Sequence, residues 1–303
     1  MFEYRGRTAV ITGAGSGLGR EFARMAGRRG MNLVLADIET AALDETRREL
    51  EAAGSAVVAV KVDVSKSDEI KALADECFQR FGVPHLLFNN AGVGTNGLVW
   101  DGLVEDWNWV LGVNLWGVIH GIRAFVPAMI QAGRDDASYR GHVVNTASMA
   151  GLLNPPNMGL YNVSKEAVVS LSESLYHDLA LVGASVGASV LCPYFVPTRI
   201  MDAERNRPGP APELTRSQQV GQEASRRAVK SGKVSAAEVA ALTFDGIEQG
   251  RFYLYSHPHA LGNLKARMNG MLESGSPPDP FAERPHVRDA LREKLLAEAG
   301  KET

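Results

Sequence analysis

Short apolar runs alternate with helical patterns along most of this chain, and no hairpin signal separates them. That alternation constrains the fold more than any other feature. Strands joined by helices rather than tight turns must pair in parallel, because a parallel pair needs a crossover of a dozen or more residues. The runs are Thr8-Ala-Val-Ile-Thr12, Asn32-Leu-Val-Leu-Ala36, Val57-Val-Ala-Val-Lys-Val62, His85-Leu-Leu-Phe88, His142-Val-Val-Asn-Thr146, Ser185 to Leu191, and Arg251-Phe-Tyr-Leu-Tyr255. Helical periodicity fills the gaps, with Thr40 read as a cap, Ser67 as a helix opening and one long region over about 105–132. Right-handed crossovers then predict an α/β architecture: a doubly wound parallel sheet of about seven strands with helices on both faces, in a single domain.

Composition removes several functions. The 303 residues are 45% apolar and 22% charged, the balance of an ordinary globular protein. A net charge of -3 leaves no basic footprint, so no nucleic-acid partner is expected. Cys77 and Cys192 stand far apart without metal-ligand spacing, so neither a metal site nor a disulfide framework is expected. No leader precedes the first strand and no apolar run is read as long enough to span a bilayer. The expectation is a cytoplasmic chain without a membrane partner.

The first strand runs into Gly13-Ala-Gly-Ser-Gly17-Leu-Gly19 and then into a helical pattern. A glycine turn there presents backbone N–H groups and a helix N-terminus to a phosphate. Alone, such a turn is only a tight strand-to-helix connection. Its position after the first strand, with Asp37 about 20 residues further at the end of the second, points to a dinucleotide. A carboxylate at Asp37 can accept both ribose hydroxyls and repels a 2′-phosphate. Ser16 puts no basic group in the loop, which favours NAD over NADP.

Downstream, Ser148 ends a strand, and Tyr161 and Lys165 lie one helical turn apart on one face. A free phenol, with a pKa near 10, is a poor proton-transfer group at neutrality. A neighbouring ammonium stabilises the phenolate, and the serine hydroxyl can hold a substrate oxygen. By spacing alone the pair would be an exposed helix face.

Four features occur in order: Thr12-Gly13-x-x-x-Gly17-x-Gly19, Asn89-Asn90-Ala91-Gly92, Ser148, and Tyr161-x-x-x-Lys165. Over roughly residues 1–255 the chain closely resembles the short-chain dehydrogenase/reductase superfamily, in its compact Rossmann-like single-domain branch. The resemblance implies that Tyr161 is the general acid or base, Lys165 lowers its pKa and bonds the nicotinamide ribose, and Ser148 polarises the substrate oxygen. Asn114, by composition a mid-helix kink or buried hydrogen bond, would position a water behind the lysine. The resemblance sets the cofactor against Ser16, Leu18 and Ile38 as well as the glycines. Asp63 with Val64 would hold the adenine, and Asn90, Ala91 and Gly92 would line its ribose. Pro193, Val196 and Thr198 would clasp the nicotinamide, although Tyr194 stands where the family usually has glycine.

The resemblance makes 199–233 a mobile lid over the substrate. The substrate wall is then expected at Leu152, Leu153, Met158, Tyr194 and Phe195, an apolar and aromatic set that favours a hydrophobic or aromatic alcohol or ketone. Residues 256–303 exceed what a minimal member needs, and are read as a helical extension that docks on the domain, covers the pocket or alters the subunit interface. This tail and the Phe125-Val-Pro-Ala-Met-Ile run resemble those of bacterial members acting on bulky aromatic alcohols, including lignin-derived Cα-alcohol dehydrogenases. The family implies a homodimer or homotetramer built on the helices near Trp107 and Tyr161. The alternative from another class is a catalytically silent NAD-binding regulator or scaffold.

Overall fold

In the computed structural model, residues 2–210 and 213–297 are described. The strands are β1 Thr8–Thr12, β2 Asn32–Asp37, β3 Val57–Lys61, β4 Leu86–Asn89, β5 Gly141–Thr146, β6 Val186–Cys192 and β7 Tyr253–Tyr255. They form one sheet in the order β3-β2-β1-β4-β5-β6-β7, and every neighbouring pair is parallel. The sixth strand is one residue later than the apolar pattern implies.

Strand side chains alternate between faces, so a strand covered on both sides must be apolar throughout. β1 is buried along its whole length. Ala9 and Ile11, with Leu33, Leu35, Leu86 and Phe88, face α1 (Gly17–Arg28) and α9 (Ala236–Glu248). Val10, Val34, Leu87 and Val143 face the opposite layer of α3 (Ser67–Phe81), α5 (Gly117–Asp135) and α7 (Gly159–Leu181). Phe88 stacks on Phe22 of α1 at 4.8 Å and meets Phe244 of α9 at 5.6 Å, fixing those two helices on one face. Between β2 and β3 runs α2 (Thr40–Ala52), whose cap position is Glu39, so Thr40 is the first helical residue rather than the cap.

The long helical region is α4 (Val104–Leu111), a π-helical turn at Gly112–Trp116, and α5 in continuous succession. Contrary to the reading that no run is long enough, Val104–Asp135 is by length and composition apolar enough to cross a membrane. Here it lies against the sheet: Val110, Val118, Phe125, Val126 and Met129 are buried in the core. The alternating polar residues of an amphipathic helix break up the run in sequence, which is why it does not read as a continuous apolar stretch.

After β5 come α6 (Met149–Leu153) and α7. The 199–233 segment forms a 3₁₀ turn at Ile200–Asn206 and α8 (Arg216–Lys230), which Thr215 and Gln218 cap reciprocally. The tail forms α10 (Leu261–Leu272) and α11 (Pro285–Leu296). Residues 211–212 of the first segment and 298–303 of the tail lie outside the described residues. α10 is held by Leu264 against the core and by Arg267, which donates to the Leu152 carbonyl at 3.1 Å and pairs with Glu166 at 2.6 Å. Met271 and Leu272, by spacing part of its apolar face, are exposed instead.

His142 on β5 is buried, and its Nε2 lies 2.8 Å from Ser189 Oγ. That hydroxyl donates to the Arg251 carbonyl, so His142 Nε2 is the donor in its bond to Ser189. Burial pulls its pKa from 6.5 down to about 4, and His85 shifts the same way. The unfolded chain therefore takes up protons that the folded one refuses. The contribution of His142 should be constant above about pH 6.5, fall as pH drops from there to about 4, and level off below. Urea melts across that window should show a loss of about 3 kcal/mol from His142, with a visibly shallower pH dependence in His142→Gln. An unchanged slope in that variant would refute the assignment.

Candidate active site

The loop from β1 to α1 is shaped by glycine where no side chain fits. Gly13 and Gly17 have φ of +67° and +53°. A Cβ on Gly19 would lie 2.0 Å from the Gly13 carbonyl oxygen, so the first turn of α1 can sit on the loop only because that atom is missing. Gly19 therefore does not line the cavity as expected; its part is to let the loop close. Gly13, Ser16, Gly17 and Leu18 do line a cavity of about 840 Å³ that opens beside the N-terminus of α1. It lies at the carboxyl ends of the strands, beside the β1/β4 seam where the strand order reverses.

The same cavity passes Asp37, Ile38, Asp63, Val64, Asn90, Ala91 and Gly92, then Tyr161, Lys165, Pro193, Val196 and Thr198. A glycine cradle, a helix N-terminus and a carboxylate along one crevice fit an extended dinucleotide. Asp37 Oδ2 accepts from Gly15 N at 2.8 Å and Oδ1 from Glu39 N at 2.9 Å, which fixes the carboxylate at the cavity wall. Burial raises its pKa and these hydrogen bonds oppose the rise. Asp63 Oδ1 accepts from both the amide and the hydroxyl of Ser65, so it also caps the turn after β3.

At the far end, four polar side chains converge. Lys165 is buried, and its Nζ donates to the Thr146 carbonyl at 2.9 Å and sits 5.9 Å from the Tyr161 ring centre. A Cβ on Gly92 would lie 3.3 Å from both Lys165 Nζ and Asn114 Oδ1, a measure of how tightly these groups meet. Asn114, fully buried in the π turn, accepts from Val93 N at 2.8 Å and donates to Val93 O and Ser164 Oγ, both at 3.0 Å. Its side chain thus ties the helix to the loop after β4. Ser148 caps α6 by accepting from Ala150 N at 3.1 Å, and its hydroxyl donates to the Pro193 carbonyl at 3.4 Å.

Electrostatics here differ from the expectation that the lysine lowers the tyrosine pKa. Burial instead pushes Tyr161 up to about 12, with the Ser148 hydrogen bond pulling the other way. Burial also brings Lys165 down to about 8, which leaves it mostly protonated at neutral pH.

Ser148, Tyr161 and Tyr194 also line a second cavity of about 1040 Å³. Its walls are the 153–158 loop with Leu153 and Met158, Phe195, α8, and both tail helices. Leu152 is absent from this wall: it points into the core with Val168, Val190 and Cys192. Periodicity on a five-residue helix does not distinguish its face from that of Leu153. Tyr194 needs no left-handed backbone, since the non-glycine residues with positive φ among those described are Asn154, Asn157 and Ser274. Its ring packs on Phe195 at 4.2 Å, and its amide donates to Ser256 Oγ at 3.1 Å. His257 and His259, the pair that could suggest a metal, stand with rings 5.5 Å apart, and no three-ligand cluster exists among the described residues.

The groups that fasten the 199–233 segment give no sign of themselves in the sequence. Arg207 pairs with Asp106 and lies over the Trp109 ring at 5.0 Å, with both charged side chains almost fully buried. Gln218 Nε2 donates to the other Asp106 oxygen at 3.0 Å. Residues so far apart in sequence carry no local signal of pairing.

The short chain dehydrogenase family matches residues 7–209. A short chain dehydrogenase/reductase of Burkholderia phymatum, crystallised in complex with NAD, is 50% identical, with a TM-score of 0.89 over 93% of this chain and 100% of that one. A CLA biosynthesis dehydrogenase/reductase of Lactiplantibacillus plantarum is 30% identical over 91% of this chain and 97% of its own length. A C alpha-dehydrogenase of Sphingobium sp. strain SYK-6 is 29% identical over 99% of each.

Because a Cβ on Gly19 has nowhere to go, Gly19→Ala should cost about 1–3 kcal/mol and lower the melting temperature by at least about 2 °C. A variant that melts with the wild type would mean that the loop yields freely and that the close approach is unimportant.

Proposed function

This chain belongs to the short-chain dehydrogenase/reductase superfamily, and from that premise we propose that it interconverts a hydrophobic or aromatic secondary alcohol with its ketone, using NAD and Tyr161 as the proton-transfer residue. It is an oxidoreductase of that family. The observation that carries the finer reading is the shared wall: Ser148 and Tyr161 line both cavities, so a reacting carbon in one can face a cofactor in the other.

Bound along the glycine-loop cavity, NAD supplies the hydride exchange. The protein's own residues do the rest. The Ser148 hydroxyl holds the substrate oxygen; Tyr161 gives it a proton as the phenol in reduction, and as the phenolate takes the alcohol proton in oxidation. Lys165, fixed on the Thr146 carbonyl, sets the field under the phenol, and Asn114 holds the loop that carries Gly92 against it. The Asp37 carboxylate favours an unphosphorylated ribose, and the NAD in the Burkholderia phymatum structure supports that choice. Leu153, Met158, Tyr194 and Phe195 line the second cavity and suit an apolar substrate body. Residues 1–255 form the catalytic domain in this reading, and the tail roofs its substrate chamber.

Pairing of subunits through α4, the π turn and α7 is supported by Val104, Trp116, Val163 and Leu181, which are exposed there. Light scattering should return two or four chains, and a monomer would refute the pairing.

Tyr161→Phe should keep NAD binding and lose about 10²–10⁴ in turnover. Absorbance of the reduced nicotinamide, followed with a panel of aliphatic and aromatic secondary alcohols, tests this; equal turnover in the variant would rule Tyr161 out. Since burial holds the phenol protonated at neutral pH, kcat/KM for alcohol oxidation should climb from neutral toward alkaline pH. A flat profile would exclude a tyrosine base.

A further inference from the structure

Glu39 sits two residues beyond Asp37 on the rim of the glycine-loop cavity, and it is surrounded by cations from a distant part of the chain. Arg205, in the 3₁₀ turn, donates to Glu39 Oε1 through Nε at 2.9 Å and through Nη2 at 2.5 Å. Arg199 Nη1 lies 3.8 Å from Oε2, and Asn206 Nδ2 donates to Oε1 at 3.1 Å. The remaining Arg205 nitrogen is used by the Arg199 and Asp202 carbonyls, at 3.2 and 2.6 Å. Glu39, Arg199 and Arg205 line the same cavity as Asp37. These contacts hold the Glu39 carboxyl below its ordinary pKa.

We propose that Glu39 is a second determinant of cofactor choice, acting by holding Arg205 so that its guanidinium is not free to bind the 2′-phosphate of NADP, with exposed Arg199 at 3.8 Å partly neutralised by the same carboxylate. The inference rests on the reading that this cavity takes a nicotinamide dinucleotide with its adenosine ribose at Asp37. A guanidinium beside that ribose is the group that accommodates a 2′-phosphate, because its fork matches phosphate oxygens. Two such groups already stand on this rim, and exposed Lys61 and Lys66 line it as well. Charge at the rim would therefore welcome a phosphate if Asp37 acted alone. Glu39 changes the balance twice over. It adds a like charge against the phosphate, and it occupies the Arg205 donors that would receive it. Asp37 selects the ribose hydroxyls by direct contact; Glu39 selects by withholding a competing partner.

The test is calorimetric titration of the full chain with NAD and with NADP, with melting temperature as a control for folding. Glu39→Ala leaves the backbone bonds of Glu39 in place, since its amide donates to Asp37 and its carbonyl accepts from Leu43. The wild type should prefer NAD. In Glu39→Ala the ratio of the two dissociation constants should move toward NADP by about tenfold or more. Adding Arg205→Gln to Glu39→Ala should return most of that shift. A folded Glu39→Ala that binds NAD with an unchanged ratio overturns the proposal, and so does a shift that survives Arg205→Gln. Wild-type protein that binds NADP as tightly as NAD overturns it too. If the wild type binds neither nucleotide, the dinucleotide reading fails first and this inference with it.

Discussion

The Thr12 hydroxyl holds the two halves of the sheet together. It donates to the Phe88 carbonyl at 3.2 Å and accepts from the amides of Asn90 and Ala91 at 2.9 and 3.1 Å. The Asn90 side chain returns the bond to the Thr12 carbonyl at 2.9 Å. β1 and β4 are neighbours in the sheet but not in the chain, and the strand order reverses between them. Their ends would splay apart with unpaired backbone groups at the mouth of the crevice unless something joined them. The glycine loop continues from one side of this joint and the Asn90–Gly92 run from the other. One buried hydroxyl thus joins the glycine loop to the Asn90–Gly92 run on the floor of the crevice.

A second joint lies deeper. The π turn at Gly112–Trp116 brings Asn114 inward, where its amide satisfies both backbone groups of Val93. A regular α-helix would hold that side chain at a different angle, and irregular turns of this kind recur where a helix must aim one residue. The third bond of Asn114 goes to Ser164, the residue before Lys165. The lysine is therefore located from two sides, by its own bond to the Thr146 carbonyl and by its neighbour's tie to the helix. Burial that gives this precision also works against charge. It raises the tyrosine and lowers the lysine, so each resists its charged form more than the free side chain does.

Much of this architecture is legible in the residues alone. Alternating apolar and helical patterns yield the parallel sheet because covered strands must be apolar on both faces. The glycine loop and Asp37 stand out by their places at the ends of the first two strands, and the Ser148, Tyr161 and Lys165 set through the family resemblance rather than through spacing alone. Leu152 departs from the expected wall because a single helical turn offers no periodicity to orient it. Gly19 departs from its expected place because an absent side chain leaves no trace of what it avoids. The helix at Val104–Asp135 does not read as a long apolar element because charged and polar residues interrupt it.

By itself the sequence determined a parallel sheet linked by crossovers, a glycine turn after the first strand, and the one-turn spacing of Tyr161 and Lys165. All of these depend on neighbours within a few residues, where helix and strand geometry are fixed by local sterics. Only the tertiary structure decided that Arg205 meets Glu39 across 166 positions, that Arg207 buries its charge on Asp106, and that α10 and α11 wall the second cavity. It also decided the direction of the Tyr161 and Lys165 shifts. Those outcomes follow from burial and from distance in space, and neither quantity exists until the chain has folded.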